Sequence, residues 1–197
     1  MKLQLLTFFL MAWLISYSAT AQSAQLETAY QHDVKIRKTG MLILGSWAVG
    51  NMLIGGIGRT QLSGEKAYFH EMNLIWNVVN LSIAGAGYYF TAKGELPASG
   101  AEQLASQISF QKTLLFNAGL DVAYIVGGLY LLEKSKNTAN KPERLKGYGR
   151  SVVLQGSFLL AFDLILHTVH AEASTPLTDF MSHLSLGPQY AAWVYRF

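Results

Sequence analysis

The chain has 197 residues, of which 51% are hydrophobic and only 14% are charged, and its formal net charge is +3. Soluble domains carry charge on roughly a quarter of their residues, so this composition favours a membrane protein. The chain has no cysteine, which excludes disulfides, thiolate metal sites and a cysteine nucleophile. Its basic residues lie between apolar runs, a pattern typical of membrane orientation and not of nucleic-acid binding.

The N-terminal residues 1–21 have the pattern of a signal peptide. Lys2 precedes an apolar run at 3–16, and small residues follow at 19 and 21. These features predict export and cleavage after Ala21. The alternative is an uncleaved anchor, which would add one more span and leave the N-terminus inside. After cleavage, residues 22–38 are expected to form a polar periplasmic segment that leads into the rest of the protein.

Four apolar runs follow, each long enough to cross a hydrocarbon core about 30 Å thick. They lie between Lys38 and Arg59, Glu71 and Lys93, Lys112 and Glu133, and Arg150 and Glu172. The sequence therefore predicts an all-α membrane protein, with a bundle of four transmembrane helices over residues 39–171. A periplasmic tail at 172–197 ends in aromatic residues, which beside four helical spans indicate an interfacial anchor and not a barrel strand.

Loop charges predict how these spans are oriented. Cleavage of the signal peptide places the mature N-terminus outside, so the loops after the first and third spans face the cytoplasm. The 133–150 loop carries six bases and two acids, the basic excess expected of a short cytoplasmic loop. We therefore expect a location in the bacterial inner membrane, with both mature termini in the periplasm.

Polar residues follow one side of each predicted span. In the second span, one histidine and three asparagines fall within roughly 80° of one another at about 100° per residue. Unsatisfied polar groups in hydrocarbon cost several kcal/mol, so these stripes are expected to face the bundle interior and to pair with each other. The predicted intramembrane polar cluster consists of Asn51, Asn73, Asn77, Asn80, Asn117, Asp121, Gln155 and Asp163.

Asp121 and Asp163 are predicted to lie near the middle of the bilayer, and no span contains Lys or Arg. A carboxyl group at this depth is costly and is usually functional. We expect at least one of the two to be protonated at neutral pH unless a bound cation neutralises it. His167 and His170 follow Asp163 at helical spacing, and a small metal site formed by these three residues is an open alternative to interfacial histidines.

Four sequence blocks within residues 38–170 carry a resemblance to a known family. They read "KTGMLILGSWAVGN", "FHEMNLIWNVVNLSIAG", "FNAGLDVAYIVGGLYL" and "LQGSFLLAFD". Together they resemble an uncharacterised family of bacterial four-span membrane proteins, a domain of unknown function. The resemblance implies a membrane bundle behind an exported N-terminus, and it transfers no catalytic residue.

We interpret the sequence as a non-enzymatic inner-membrane protein whose polar interior serves assembly, partner binding or small-solute passage. One alternative is a proton- or cation-coupled transporter that uses Asp121 and Asp163. The other is a metal- or quinone-linked membrane redox protein. The expected partners are the lipid bilayer and either a second copy or another membrane protein, without nucleic acid. The sequence identifies no cofactor.

Overall fold

The computed structural model describes the backbone of residues 2–187 and 190–193, and the side chains of residue 24 and residues 26–174. In this part of the chain there are four long helices and one short hairpin. The helices are α1 (Lys2–Gln61), α2 (Gly64–Lys93), α3 (Gly100–Lys136) and α4 (Pro142–His183). The hairpin pairs β1 (Leu184–Gly187) with antiparallel β2 (Tyr190–Trp193).

Three helices are long and apolar enough to cross a membrane, namely α1 over Leu26–Gln61, α3, and α4 over Pro142–Ser174. The α2 helix has sufficient length, at 30 residues, but three asparagines lower its mean hydropathy. Composition therefore supports three of the four predicted spans. The fourth span, at α2, stays a prediction.

The helices are longer than the predicted spans. The α1 helix runs without a break through the predicted signal peptide and the 22–38 segment, so that segment is not a separate element. Cleavage after Ala21 is not tested by this and stays a prediction. The α3 helix begins well before its span because Ser99 and Glu102 form a capping box. Ser99 Oγ accepts from Glu102 N at 3.2 Å, and Ala98 N donates to Glu102 Oε2 at 2.9 Å.

The four helices form two antiparallel hairpins, α1 with α2 and α3 with α4, and α4 contacts all three of the others. We call the end with the 62–63 and 137–141 connections the turn end, and the end with the 94–99 connection the loop end. Glycines bring α3 and α4 close together. A Cβ atom on Gly128 would lie 2.8 Å from the carbonyl oxygen of Gly149, so neither position has room for a side chain.

The bundle is apolar outside and partly polar inside. Its outward faces expose large hydrophobic side chains such as Leu53, Phe116 and Ile165, which are 64%, 68% and 63% accessible. Its interior combines small apolar residues with buried amides and carboxyl groups. A water-soluble bundle places these groups the other way round, whereas a bundle in lipid must satisfy its polar groups internally.

Candidate functional site

An amide network in the bundle interior connects three helices around Asn73 of α2. Asn73 Nδ2 donates to Asn51 Oδ1 at 3.0 Å, and Gln155 Nε2 of α4 donates to Asn73 Oδ1. On the other side of Gln155, its Oε1 accepts from Trp47 Nε1 at 3.0 Å. Each amide satisfies the next one, so α1, α2 and α4 are joined by neutral hydrogen bonds.

Two further asparagines extend this network along α2 towards the loop end. Asn77 Nδ2 donates to the backbone oxygen of Asn73 at 2.7 Å, and Asn80 Nδ2 donates to Asn77 Oδ1 at 3.3 Å. Asn77 is fully buried and Asn80 is 3% exposed. The stripe of α2 that its spacing indicated thus faces the other helices, and its polar side chains bond to one another.

Asp121 of α3 and Asp163 of α4 form a carboxyl pair in the bundle interior. The two carboxyl groups lie within hydrogen-bonding reach of each other, and the residues are 3% and 6% exposed. Within residues 26–174 neither carboxyl has an ion-pair partner, and Asp121 Oδ2 has no hydrogen-bond partner. A hydrogen bond between two carboxyl groups requires a proton on one of them. The arrangement suits one shared proton or, in its place, a small cation.

The predicted polar residues Asn117 and His167 are partly buried. His167 and His170 do not combine with Asp163 into the metal site that their spacing allowed. Asp163 faces Asp121 instead, and His170 lies seven residues further along α4, about 10 Å by helix rise. Among the described residues, no three side chains of the metal-binding types come together.

His170 belongs to a second polar cluster, near the loop end. Its Nε2 lies 2.5 Å from Asp33 Oδ1, and the other oxygen of Asp33 forms an ion pair with Arg37 Nε at 2.9 Å. His170 is 1% exposed and Asp33 is 6% exposed. Gln111 Nε2 approaches His170 Nδ1 at 3.4 Å. We call Asp33, Arg37, Gln111 and His170 the loop-end cluster.

The loop-end cluster attaches the first part of α1 to α3 and α4. Arg37 donates to the backbone oxygen of Ser106 at 3.3 Å, and its guanidinium lies 4.4 Å from the ring centre of Phe110. Our sequence analysis did not identify Asp33, Arg37 or Gln111 as site residues. The usable signals were the i,i+4 spacing of Asp33 and Arg37, and the glutamines that recur every fourth residue of α3, namely Gln103, Gln107 and Gln111.

The turn end carries ion pairs between α1, α2 and α4. Glu71 Oε2 pairs with Arg59 Nε at 2.6 Å, and its Oε1 accepts from the Tyr148 hydroxyl. The hydrogen bond from Tyr148, and then the hydrogen bond and charge of Arg59, hold the pKa of Glu71 below its ordinary value against the opposing effect of burial. Glu65 pairs with Lys146 at 2.8 Å and also with Arg150. Ion pairs between opposite charges therefore join α1, α2 and α4 at this end.

The fold and its surface define a helical protein with a polar interior and three helices that are long and apolar enough to cross a membrane. More narrowly, the chain belongs to a family of unknown function (DUF6992), which matches residues 43–164. The match includes the amide network from Trp47 to Gln155 and the carboxyl pair. It begins after Asp33 and Arg37 and ends before His170, so Gln111 is the one member of the loop-end cluster that it includes. No curated protein and no solved structure matches the chain significantly.

Proposed function

We propose that the protein is a four-span inner-membrane protein whose interior binds an exchangeable proton or small cation at Asp121 and Asp163. In this proposal the amide network has the structural task of holding α1, α2 and α4 together. The carboxyl pair has the ion-binding task. The observation that carries the proposal is the placement of two buried carboxyl groups beside each other, neither of which forms an ion pair within residues 26–174.

The distribution of side chains around α2 supports a fourth span. Its asparagines are at most 3% exposed, so they do not meet the surroundings of the bundle. The opposite side exposes Ile75, Val79 and Ile83, which are 50%, 57% and 54% accessible. A hydropathy average counts both sides equally, whereas a lipid contacts only the outer one. The lipid-facing surface of α2 therefore resembles that of α1 and α3, which supports α2 as a spanning helix.

The charges at the two ends support an orientation with the turn end in the cytoplasm. The turn-end segments 59–71 and 133–150 carry eight bases and four acids. The loop-end segments 24–38, 93–112 and 172–174 carry five of each. Basic residues accumulate on the cytoplasmic side of membrane proteins. Both the first part of α1 and the loop-end cluster then lie on the periplasmic side.

Electrostatics supports the ion-binding task of the carboxyl pair. Two carboxylates in contact within a medium of low dielectric constant repel each other strongly, so they do not both ionise without a cation between them. Neither aspartate forms an ion pair within residues 26–174, so that repulsion is not compensated by a cationic side chain. An exchangeable proton removes one of the two charges, and a small cation offsets the repulsion. Ionisable groups inside membranes commonly mark such pathways.

The test compares Asp121→Asn and Asp163→Asn with Asn117→Ala, a change to a polar residue one turn from Asp121 that removes no carboxyl group. Asparagine keeps the shape of aspartate and a hydrogen bond, so the fold is expected to persist. We expect wild-type protein in liposomes to dissipate an imposed pH or sodium gradient. Each Asp variant should slow this at least tenfold, and Asn117→Ala should not change it.

Two results would assign the carboxyl pair to assembly alone. One is the absence of any flux or proton uptake in folded wild-type protein. The other is unchanged flux in both Asp variants. In either case the amide network and the carboxyl pair would be structural, and partner binding would be the remaining role of the bundle.

A further inference from the structure

A pocket at the turn end is separate from the carboxyl pair. Its volume is about 250 Å³, and its walls are Glu65, Lys66, Phe69 and His70 of α2 with Arg150 of α4. Pockets for drug-sized ligands typically measure about 300–1,000 Å³, so this one suits a smaller group. The walls combine one aromatic ring with several groups that donate hydrogen bonds.

Positive charge exceeds negative charge around this pocket. Glu65 is shared between Lys146 and Arg150, so one carboxylate faces two cations. Lys66 adds a third cation, and within residues 26–174 it forms no ion pair.

The neighbouring acid Glu71 is already bound by Arg59 and Tyr148. Glu143 is directed at Gly64, the first residue of α2. The charged residues that line the pocket are Lys66 and Arg150 against Glu65, an excess of one positive charge.

His70 contributes its imidazole ring to the pocket wall. Its Nδ1 is buried and has no hydrogen-bond partner among the described residues. The ring is held in place because it packs against Gly58, where a side chain would have no room. The Nδ1 atom lies 2.6 Å from where a Cβ of Gly58 would stand, so it is directed at α1 and the ring serves as an apolar part of the pocket wall.

We propose that this pocket binds a phosphate group, and that the phosphate belongs to the headgroup of an anionic membrane phospholipid. Arg150 and Lys66 line the pocket and supply charged N–H donors. Such donors recognise phosphate oxygens strongly. Phe69 offers an apolar surface for the glycerol part of the lipid. The turn end is also where cytoplasmic headgroups would lie in the proposed orientation, and anionic lipids concentrate there. The proposal does not depend on the carboxyl pair.

Native mass spectrometry of the detergent-purified full chain tests this site with three probes: short-chain phosphatidylglycerol, diacylglycerol with the same chains, and inorganic phosphate. We expect phosphatidylglycerol to bind at least tenfold more tightly than phosphate-free diacylglycerol. Lys66→Gln should weaken phosphatidylglycerol about tenfold, since a charged hydrogen bond is lost. Lys66 is exposed and unpaired, so this change should not affect folding. Lys136→Gln, which removes an exposed lysine elsewhere at the same end, is the matched control and should have no effect.

Inorganic phosphate separates the two sources of the phosphate group. Weak binding of inorganic phosphate supports the lipid headgroup. Inorganic phosphate that competes as well as phosphatidylglycerol would overturn the lipid assignment and make the ligand a free anion. Equal binding of phosphatidylglycerol and diacylglycerol, or equal effects of Lys66→Gln and Lys136→Gln, would overturn the site itself.

Discussion

The bundle interior and the loop-end cluster are both buried and polar, yet they are built from different chemistry. The interior uses amides and a carboxyl pair without a cation, whereas the loop-end cluster places Asp33 between Arg37 and His170. Deep in hydrocarbon, neutral groups are the least costly to bury, while at the edge of the membrane a paired charge is tolerated. The two regions therefore should respond differently to the loss of a single partner, and substitutions can test this.

The largest loss of stability is expected from Asp33→Ala. The change leaves Arg37 without its carboxylate and His170 without its acceptor, and loss of one partner of a buried ion pair costs about 3–5 kcal/mol. The damage should be local, because Asp33 touches the bundle only through the loop-end cluster. Hydrogen exchange should therefore accelerate in residues 26–38 and stay slow in residues 43–58. The exposed residue Glu27 serves as the control, and Glu27→Ala should leave both rates unchanged.

A smaller effect is expected from Asn73→Leu, which removes the centre of the amide network. Gln155 Nε2 and Asn51 Oδ1 would lose their partner, at about 1–3 kcal/mol for each buried group left unsatisfied. The free energy of unfolding in mixed micelles should fall by about 2–4 kcal/mol, and the loss should be global, since three helices are joined there. Asn117→Leu is the comparison, because Asn117 is only partly buried and makes no hydrogen bond to the described residues. Equal losses in the two variants would contradict the central role of Asn73.

Two glycines of α3, Gly127 and Gly128, are neighbours in sequence but differ in the space available for a side chain. A Cβ on Gly128 would meet Val153 Cγ2 at 2.7 Å and Gly149 O at 2.8 Å, whereas a Cβ on Gly127 would have nothing within 4 Å. Gly128→Ala should therefore force α3 and α4 apart and lower the free energy of unfolding by about 1–3 kcal/mol. Gly127→Ala should be neutral or slightly stabilising. A stable Gly128→Ala variant would show that α3 and α4 tolerate wider spacing at this contact.

The smallest expected effect is the change with pH of the stability that Glu71 contributes at the turn end. Because the pKa of folded Glu71 lies below its ordinary value of 4.5, its ionised form stabilises the fold above pH 4.5. That contribution should decrease as the pH falls below 4.5 and the carboxylate takes up a proton. Thermal unfolding of wild type between pH 7 and pH 3, compared with Glu71→Gln, measures the difference. The variant should show a weaker dependence on pH in this range, and identical profiles would contradict the assignment.

The polar stripe of α2 was predictable because burial of amides in hydrocarbon is so costly that only one orientation is stable. The same argument indicated inward positions for Asp121 and Asp163, although not that they would face each other, since register between helices depends on close packing at glycines such as Gly128. Outside the apolar runs, the cost of placing a polar group in hydrocarbon does not restrict the orientation of a side chain. A polar residue such as Asp33 is stable in water as well, so the pairing with His170 could not be deduced from the spacing of either residue.

The short connection between α1 and α2 constrains how the protein can move. Only Leu62 and Ser63 separate these helices, and the positive φ of 60° at Gly64 makes the reversal tight. Sliding of α1 along α2 is therefore restricted, and we expect these two helices to move together as one half of the bundle. Any opening must occur at the seam between the halves, which the Gln155 and His170 contacts cross. The two aspartates belong to the same half, so such a motion would expose the carboxyl pair without separating its two members.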